Sequence, residues 1–391
     1  MKAITRTVWI LSIVSLFTDT ASEMLYPIMP LYLKSIGFSI VLIGVLEGVA
    51  EATAGLSKGY FGKLSDNTGK RMPFVQWGYT LSALSKPLMA LFITPVWVFF
   101  VRTIDRFGKG LRTGARDAVL SDEATPQTKG KVFGFHRSMD TLGAVLGPLL
   151  ALLYLQWYPQ DYKTLFFIAF APGLLAVTCS FLLKDKNVIQ KPATTKVGFF
   201  SFLSYWKQSP ALYRKLVIGL LVFTLFNSSD VFLLLKAKQA GLNDSGVITV
   251  YIFYNLVYAI FAFPIGIVAD KIGLKKIFIV GLVIFSMVYG GMAFANQSYH
   301  FYILFFLYGI YAAATEGISK AWITNISSKE NTATAIGTYS AFQSICTMLA
   351  SSLAGFIWYR FGAGVTFGLS AVMVLAVSIY ISFIRTKLTS K

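Results

Sequence analysis

Long apolar runs alternate with short polar or charged segments along the whole chain of 391 residues. A transmembrane helix needs about 20 mostly apolar residues to cross the roughly 30 Å hydrocarbon core of a bilayer. The hydropathy breaks predict twelve spans, at residues 7–33, 39–61, 73–94, 96–119, 132–156, 163–184, 215–239, 246–268, 275–295, 300–324, 332–357 and 364–385. The predicted fold class is therefore an all-α membrane protein with twelve transmembrane helices.

The longest connection between spans lies near the middle of the chain and divides the spans into two sets of six. We predict an N-terminal six-helix bundle at 1–184, a cytoplasmic linker at 185–214 and a C-terminal six-helix bundle at 215–391. Within the linker, the stretch "GFFSFLSYW" fits either an amphipathic segment at the membrane surface or a partly ordered connection.

Lysine and arginine are distributed unevenly between the connections, and cytoplasmic loops of membrane proteins carry an excess of these residues. One side of the predicted topology holds both chain ends, the central linker and most cations. The alternate loops hold little beyond Lys34, Lys163, Lys238 and Arg360. We therefore expect a multi-pass protein of the cell inner membrane with both termini cytoplasmic. Because this topology explains the net charge of +18, no nucleic-acid partner is indicated.

Composition supports a membrane location and excludes several classes of protein. Charged residues make up 13% of the chain, whereas soluble domains hold about 25%. Cys179 and Cys346 lie in separate apolar runs, which does not favour a disulfide framework or a metal site. The first run resembles a signal peptide, but it continues without a cleavage site, so we predict a retained helix. The sequence shows no P-loop and no catalytic constellation, so we expect no enzyme activity, no metal and no cofactor.

Two charged loop motifs repeat at matching positions in the two halves of the chain. "GKLSDNTGKRM" at 62–72 follows the second span, and "GIVADKIGLKKI" at 266–277 follows the eighth span, 204 residues later. The glycines permit tight turns, and the acid can accept hydrogen bonds from a neighbouring helix N-terminus. The motifs and the adjoining end of the fourth span predict a conformational latch. Its assigned residues are Gly62, Asp66, Gly69, Arg71, Arg116, Asp117, Gly266, Asp270, Gly273 and Lys275.

Through its topology, its paired loop motif and its long central linker, the whole chain resembles the major facilitator superfamily. Internal repeats of this kind occur in transporter folds. The resemblance implies two six-helix bundles related by a pseudo-two-fold axis, with a central cavity that opens to alternate sides of the membrane. It also implies a monomer that works among membrane lipids on a small-molecule substrate.

Two further motifs resemble those of proton-coupled members of the superfamily. "DRFGKG" at 105–110 is similar to the fourth-span motif Arg-x-x-Gln-Gly, with Arg106 as the arginine and Lys109 in place of the glutamine. "GAVLGPLLA" at 143–151 is similar to the fifth-span antiporter motif, through Gly143, Gly147 and Pro148. The resemblance implies a drug:proton antiporter. The glycines also fit ordinary small-residue packing between membrane helices.

Ionisable residues inside the predicted spans are the candidates for chemistry, since an isolated charge at the bilayer centre costs about 2.5–3.5 kcal/mol even on lenient scales. Spacings of three and four residues place Asp105, Lys109, Arg112 and Arg116 on one face of the fourth span. We expect this face to meet carboxylates of the first two spans, either in fixed ion pairs or in a transport site. The predicted proton-coupling and substrate residues are Asp19, Glu23, Glu51, Arg106, Lys109, Arg112, Asp230 and Glu316.

These features favour a secondary active transporter, most simply a proton-coupled antiporter that exports a small molecule using the proton gradient. Asp19 is the first candidate for the coupling carboxylate because it falls near mid-depth in the first span. The alternative is a proton symporter that imports an organic anion held by Arg112. A sensor or scaffold that keeps the fold without transport is a third hypothesis.

Overall fold

The computed structural model describes residues 4–26, 28–185 and 198–384, and it places a helix at each of the twelve predicted spans. The two chain ends, which the sequence predicts to be cytoplasmic, lie outside the described residues, as does the linker stretch 186–197. The helices are α1 (Arg6–Leu25), α2 (Met29–Ser35), α3 (Ile40–Thr68), α4 (Met72–Leu91), α5 (Pro95–Asp122), α6 (Lys129–Trp157), α7 (Tyr162–Ser180), α8 (Leu203–Gln208), α9 (Ala211–Phe226), α10 (Asp230–Gln239), α11 (Asp244–Ile272), α12 (Leu274–Phe294), α13 (Ser298–Ile326) and α14 (Thr332–Phe383).

The first and seventh spans are each divided into two helices, a division that the hydropathy pattern did not predict. The first span, predicted at 7–33, consists of α1 and α2, and its sequence holds two prolines, which cannot donate a backbone hydrogen bond. The seventh, predicted at 215–239, is interrupted between α9 and α10. Asn227 leaves the helical conformation there (φ −98°, ψ 87°), and the Ser229 hydroxyl then caps the new helix at Val231 N.

The eleventh and twelfth spans both lie within α14, and Gly362 separates them with φ 84° and ψ 168°. A residue with a side chain rarely adopts this positive φ, so glycine marks the corner. The linker also contains structure: α8 follows a turn that buries Phe202. Lys63 Nζ of α3 donates to Ser201 O at 2.6 Å and to Ser204 Oγ at 3.1 Å, which fastens this part of the linker to α3.

Eight segments of the described residues are long and apolar enough to cross a membrane, judged by length and composition. These eight segments cover nine of the predicted spans, since the segment Lys329–Phe383 holds two spans. The predicted spans that they leave out are the second, third and fourth. Helices α3, α4 and α5 occupy the three exceptions. Charged side chains on α3 and α5 lower the hydropathy of these helices, and the same side chains build the site described below.

The described residues group into two compact units. Unit 1 comprises Met1–Ala124, His136–Lys207 and Ser328–Ser344, and unit 2 comprises Thr125–Phe135, Gln208–Ser327 and Ile345–Lys391. The first residues of α6 therefore belong to unit 2, and the first residues of α14 belong to unit 1.

In unit 1, α5 packs against α3 and α4, while α7 packs against α1 and α4. Gly78 and Gly108 form the crossing of α4 and α5, since a Cβ at Gly108 would lie 2.7 Å from Gly78 O. Tyr32 of α2 donates to Met89 O at 3.2 Å and meets the Phe166 ring edge-on at 4.9 Å. These contacts hold the second half of the first span against α4 and α7.

The predicted packing glycines of the fifth span bring α6 against α1. A Cβ at Gly143 would lie 2.9 Å from Thr20 N and 3.0 Å from the Cβ of Asp19. One turn later, a Cβ at Gly147 would lie 2.6 Å from Met24 N. Pro148 lies inside α6 immediately after this contact. Both glycines therefore allow a backbone approach that any larger residue would prevent, and they fix which side chains of α1 face α6.

In unit 2, α13 packs against both α11 and α12. The crossing of α13 with α11 is close at Gly309, where a Cβ would lie 2.8 Å from Tyr254 O. Buried rings fill the space between α9, α12 and α14, including Phe285 and Tyr289, which stack with centroids 4.0 Å apart. This aromatic core positions the break in the seventh span.

Candidate functional site

A small cavity lies inside unit 1, and acidic and basic side chains form much of its wall. Helices α1, α4 and α5 contribute the ionisable side chains, while Met29, Met89 and Phe166 contribute apolar surface. The ionisable residues of the wall are Asp19, Glu23, Lys86, Arg102, Asp105, Arg106, Lys109 and Arg112. Five of the predicted site residues therefore line one cavity, namely Asp19, Glu23, Arg106, Lys109 and Arg112.

Most of the α5 cations are held in ion pairs. Asp105 lies 2.8 Å from Lys86 Nζ and 3.5 Å from Arg102 Nη1, so one carboxylate faces two cations. Arg102 also forms a two-pronged contact with Glu47 of α3, at 2.9 Å for each oxygen. Arg106 reaches Glu51 at 3.4 Å and Glu47 at 3.9 Å. The cationic fourth span thus meets an anionic second span, as its spacing predicted.

Arg112 has a different environment. Its Nη1 donates to Ser82 Oγ at 2.7 Å and to Gly78 O at 3.3 Å, and its guanidinium lies 4.6 Å from the centroid of the Tyr79 ring. Among the described residues, no carboxylate oxygen lies within the 4.0 Å of an ion pair. A buried guanidinium on a cavity wall, held by neutral groups, retains its charge for interaction with the cavity.

Asp19 contacts a residue that sequence reasoning did not assign to the site, Asp140 of α6. The two carboxyl groups are close enough to interact with each other electrostatically. Asp140 also accepts a hydrogen bond from Ser15 Oγ at 2.5 Å and pairs with Arg137 at 2.5 Å. Asp140 precedes Gly143 by less than one helical turn, and Gly143 packs against α1 beside Asp19. This glycine was therefore the sequence signal that could have identified Asp140 as a neighbour of Asp19.

The first loop motif forms a helix cap within unit 1. Asp66, near the end of α3, accepts hydrogen bonds from Thr334 N and Thr334 Oγ1 at 2.7 Å each and from Ala333 N at 3.3 Å. These donors lie in the first turn of α14, where backbone N–H groups lack helical partners and favour an anion. Gly69 ends α3 with φ 64°, as the tight turn required.

The second loop motif forms the same arrangement within unit 2. Asp270 of α11 accepts hydrogen bonds from Gly130 N and Lys131 N at 2.7 Å each, in the first turn of α6. Gly273 turns the chain with φ 108°. Gly62 and Gly266 each sit where a Cβ would meet backbone atoms of the capped helix. The structure therefore brings both acids to the helix N-termini that the sequence suggested.

The remaining residues assigned to the latch have separate partners. Arg71 lies 3.5 Å from Asp66 and 3.3 Å from Asp122, so it links α3 to the end of α5. Arg116 lies 2.9 Å from Asp117, its neighbour in sequence. Lys275 donates to the backbone carbonyl groups of Ser382 at 2.6 Å and Ile384 at 2.8 Å, near the end of α14. Arg116 is absent from the cavity wall, unlike the other three residues of its predicted face.

We predict that Asp66→Asn and Asp270→Asn slow the exchange of substrate across the membrane with little effect on equilibrium binding. Asparagine keeps the shape of the side chain but removes the charge that stabilises the first turn of the capped helix. Exchange rates in proteoliposomes, set against binding affinity in detergent, separate the two effects. Asn67→Ala, next to the first cap, is the matched control. A loss of affinity at an unchanged exchange rate would contradict the latch.

Unit 2 holds a second group of predicted residues around the break in the seventh span. Asp230, the first residue of α10, accepts a hydrogen bond from Tyr254 Oη at 2.5 Å and one from Tyr308 Oη at 2.6 Å. Asn227 Nδ2 donates to Tyr311 Oη at 3.0 Å. Glu316 lies on α13 two turns beyond Tyr308 and interacts electrostatically with Asp230. The described residues contain no group of three His, Cys, Asp or Glu side chains that could hold a metal ion.

Helices at twelve spans, a charged cavity inside one unit and a repeated acid cap define this protein as a helical membrane transporter. The sequence profile of the Major Facilitator Superfamily matches residues 11–256 and 237–391. The chain therefore belongs to this superfamily, has its fold, and is a transporter of small molecules rather than an enzyme.

Relatives and solved structures agree with this assignment over nearly the whole chain. An MFS-type transporter of Methanocaldococcus jannaschii is 31% identical over 389 residues, which cover 98% of this chain and 96% of the relative. A multi-drug resistance efflux pump PmrA homolog of Lactococcus lactis is 22% identical over 373 residues, covering 91% of this chain and 90% of the pump. The crystal structure of the human organic anion transporter MFSD10 has a TM-score of 0.83 at 16% identity, over 97% of this chain and all of that chain.

Proposed function

We propose that this protein is a proton-coupled antiporter that exports a small molecule, and that the Asp19–Asp140 pair carries the coupled proton. Two neighbouring carboxyl groups in the protein interior favour sharing one proton, because two ionised carboxylates would offer only acceptors and would repel each other. Asp19 lines the unit 1 cavity, whereas Asp140 is buried and is not part of the cavity wall, so Asp19 is the member of the pair through which we expect the proton to reach the cavity.

Charges around the pair provide a route for releasing the proton. Lys109 and Arg112 share the cavity wall with Asp19, and Arg137 pairs with Asp140. These cations stabilise the doubly ionised pair once the proton has left. A conformational change that alters the distance between Asp19 and Lys109 would therefore change how tightly the proton is held. This dependence is what coupling of proton movement to alternating access requires.

Export is the direction favoured by the likeness to the efflux pump of Lactococcus lactis, which covers nine-tenths of each chain. A second candidate is proton symport of an organic anion. Arg112 favours it, because this buried guanidinium has no carboxylate partner among the described residues and faces the cavity. The fold shared with an organic anion transporter is compatible with that candidate but does not select it.

Everted membrane vesicles test the proposal. Respiration acidifies the vesicle interior, and a fluorescent pH probe reports the proton gradient while tetraphenylphosphonium, ethidium, p-aminohippurate or chloramphenicol is added. An antiporter releases protons when one of these compounds enters the vesicle. Movement of protons in the same direction as the compound would replace antiport by symport, and the absence of any coupled proton movement would refute both.

We predict that Asp19→Asn and Asp140→Asn each abolish proton release while downhill exchange of the labelled compound continues. Neutral asparagine cannot load and unload a proton, but it preserves the shape of the cavity. Glu330→Gln is the matched control, since Glu330 is an exposed acid outside the cavity. Proton-driven transport that survives in the Asp19→Asn/Asp140→Asn double variant would exclude the pair as the coupling site.

A further inference from the structure

Residues 198–207, which we call the linker strap, comprise a turn and most of α8, and their inner side is docked on unit 1. Phe202 is 1% exposed, and a Cβ at Gly59 of α3 would lie 2.6 Å from its ring. Only glycine therefore leaves room for this ring on the surface of α3. The Phe202 carbonyl also accepts a hydrogen bond from Thr338 Oγ1 of α14 at 3.4 Å. Because the strap contacts both α3 and α14, its position on unit 1 is fixed.

The docking positions on α3 and α14 place the strap at the level of the membrane surface. The second span is predicted to end at residue 61, and Gly59 and Lys63 contact the strap on either side of that position. The eleventh span is predicted to begin at residue 332, and Thr338 lies less than two turns inside it. Since a helix rises 1.5 Å per residue, all three contacts lie within about 10 Å of the predicted span ends. The strap therefore lies where the hydrocarbon core meets the headgroups.

The outer side of the strap is apolar and exposed. Phe199, Phe200 and Leu203 are 43%, 59% and 39% exposed. Phe202 and Tyr205, on the inner side, are buried. A short segment with aromatic and leucine side chains on one side is suited to the interface of a bilayer, where these side chains enter the boundary between headgroups and acyl chains. The depth of the strap and its apolar outer side therefore indicate the same partner, a lipid surface.

The charge of this part of the chain selects the kind of lipid. Lys207 is exposed and follows Leu203 by four residues on α8, so the two side chains project from one face of the helix. From residue 198 to residue 215 the sequence holds three cations, Lys207, Arg214 and Lys215, and no aspartate or glutamate. Lysine and arginine beside a membrane are attracted to anionic headgroups, which are concentrated in the cytoplasmic leaflet. An anionic phospholipid is therefore the complementary lipid.

We propose that the linker strap is a binding surface for an anionic phospholipid, with Phe200 and Leu203 among the upper acyl chains and Lys207 at the headgroup phosphate. The strap thereby connects the lipid surface to the contact between α3 and α14, because its inner side holds both helices. This surface does not depend on the direction of transport or on the Asp19–Asp140 pair, since no residue of the strap belongs to the wall of the unit 1 cavity.

Quenching by labelled lipids tests whether the strap enters the membrane. The full-length protein with Cys179→Ser and Cys346→Ser receives one new cysteine, through Phe200→Cys or Lys70→Cys, and a fluorescent label. Lys70 is the matched control, because it is exposed and follows the end of α3, beyond the predicted membrane span. In vesicles of phosphatidylcholine and phosphatidylglycerol, lipids with a nitroxide near the start of the acyl chain should quench the label at position 200 strongly and the label at position 70 weakly. Leu203→Cys should behave as Phe200→Cys does.

A titration in neutral detergent micelles tests the selectivity for charge. The label at position 200 should respond saturably to phosphatidylglycerol and more weakly to phosphatidylcholine of the same chain length. Lys207→Gln should weaken the affinity for phosphatidylglycerol about fivefold, equivalent to roughly 1 kcal/mol, the usual contribution of one lysine at an anionic surface. Gln208→Ala is the neutral control and should leave the affinity unchanged. Glycerol phosphate carries the anion without acyl chains and should give no response.

Four results would overturn the assignment. Equal quenching at positions 200 and 70 would place the strap in water. Equal responses to the two lipids, or an unchanged affinity for phosphatidylglycerol in Lys207→Gln, would remove the selectivity for an anionic headgroup. A response to glycerol phosphate as strong as that to phosphatidylglycerol would assign the site to a free anion. A change of the label signal with protein concentration in lipid-free micelles would assign the apolar side to a second copy of this chain.

Discussion

Replacing Asp105 by asparagine is expected to destabilise the protein by about 3–5 kcal/mol, the usual cost of removing one partner from a buried ion pair. The Asp105 carboxylate lies 2.8 Å from Lys86 Nζ and 3.5 Å from Arg102, and all three residues are buried. Arg102 keeps Glu47 as a partner in the variant, whereas Lys86 loses its ion-pair carboxylate. Thermal unfolding in detergent should show a large decrease in melting temperature.

A second substitution distinguishes loss of charge balance from loss of packing. Buried ion pairs replaced by apolar residues of similar volume are often as stable as the original pair. We therefore expect Lys86→Met combined with Asp105→Leu to recover most of the stability lost in Asp105→Asn. Asp122→Asn is the matched control, because Asp122 is about one-third exposed and its pair with Arg71 should contribute less than about 1 kcal/mol. A double variant less stable than Asp105→Asn would show that the pair itself is required.

The spans could be read from the sequence because hydropathy depends on composition over about 20 residues. Even α5, with its many charges, was identified, since its apolar start leads without a turn into the charged face. The breaks in the first and seventh spans were not predicted. Asn227 and Ser229 are compatible with a membrane helix when neighbouring groups bind their side chains. The partner of Asn227 is Tyr311, which lies 84 residues away and is brought near only by the packing of unit 2.

Contacts of the candidate site could be predicted from the sequence where they follow the periodicity of the helices. Contacts that depend on how two helices cross could not be predicted. The pairing of Arg102 and Arg106 with α3 follows from spacings of four residues on both helices. The Asp19–Asp140 contact instead depends on the register of α1 against α6, which Gly143 and Gly147 fix by backbone contact. Sequence alone does not single out Tyr254 and Tyr308, because aromatic residues also form membrane belts and cores. The hydroxyl contacts of Tyr254 and Tyr308 with Asp230 become visible only in the folded unit 2.

Replacing Arg112 by lysine is expected to reduce transport at least about tenfold while the protein folds normally. The guanidinium donates to Ser82 and Gly78 O and lies over the Tyr79 ring, a combination that needs a planar group with several donors. A hydrogen bond from a charged group contributes roughly 1.5–3 kcal/mol, and about 1.4 kcal/mol corresponds to a tenfold change in rate. Lysine keeps the charge on the cavity wall but loses its fixed position near Asp19. Coupled proton release in everted vesicles measures the effect, with Arg6→Lys, at the exposed start of α1, as the control.

Arg112→Ala tests whether this residue serves structure or transport. The sequence suggested that its removal could leave a buried acid uncompensated, but the groups left behind are the Ser82 hydroxyl and the Gly78 carbonyl, both neutral. The stability cost should therefore be well below that of Asp105→Asn, whereas transport should fall at least as far as in Arg112→Lys. A well-folded Arg112→Ala protein that transports at the wild-type rate would remove Arg112 from the mechanism. A melting temperature as low as that of Asp105→Asn would instead assign Arg112 to the structural ion-pair network of α5.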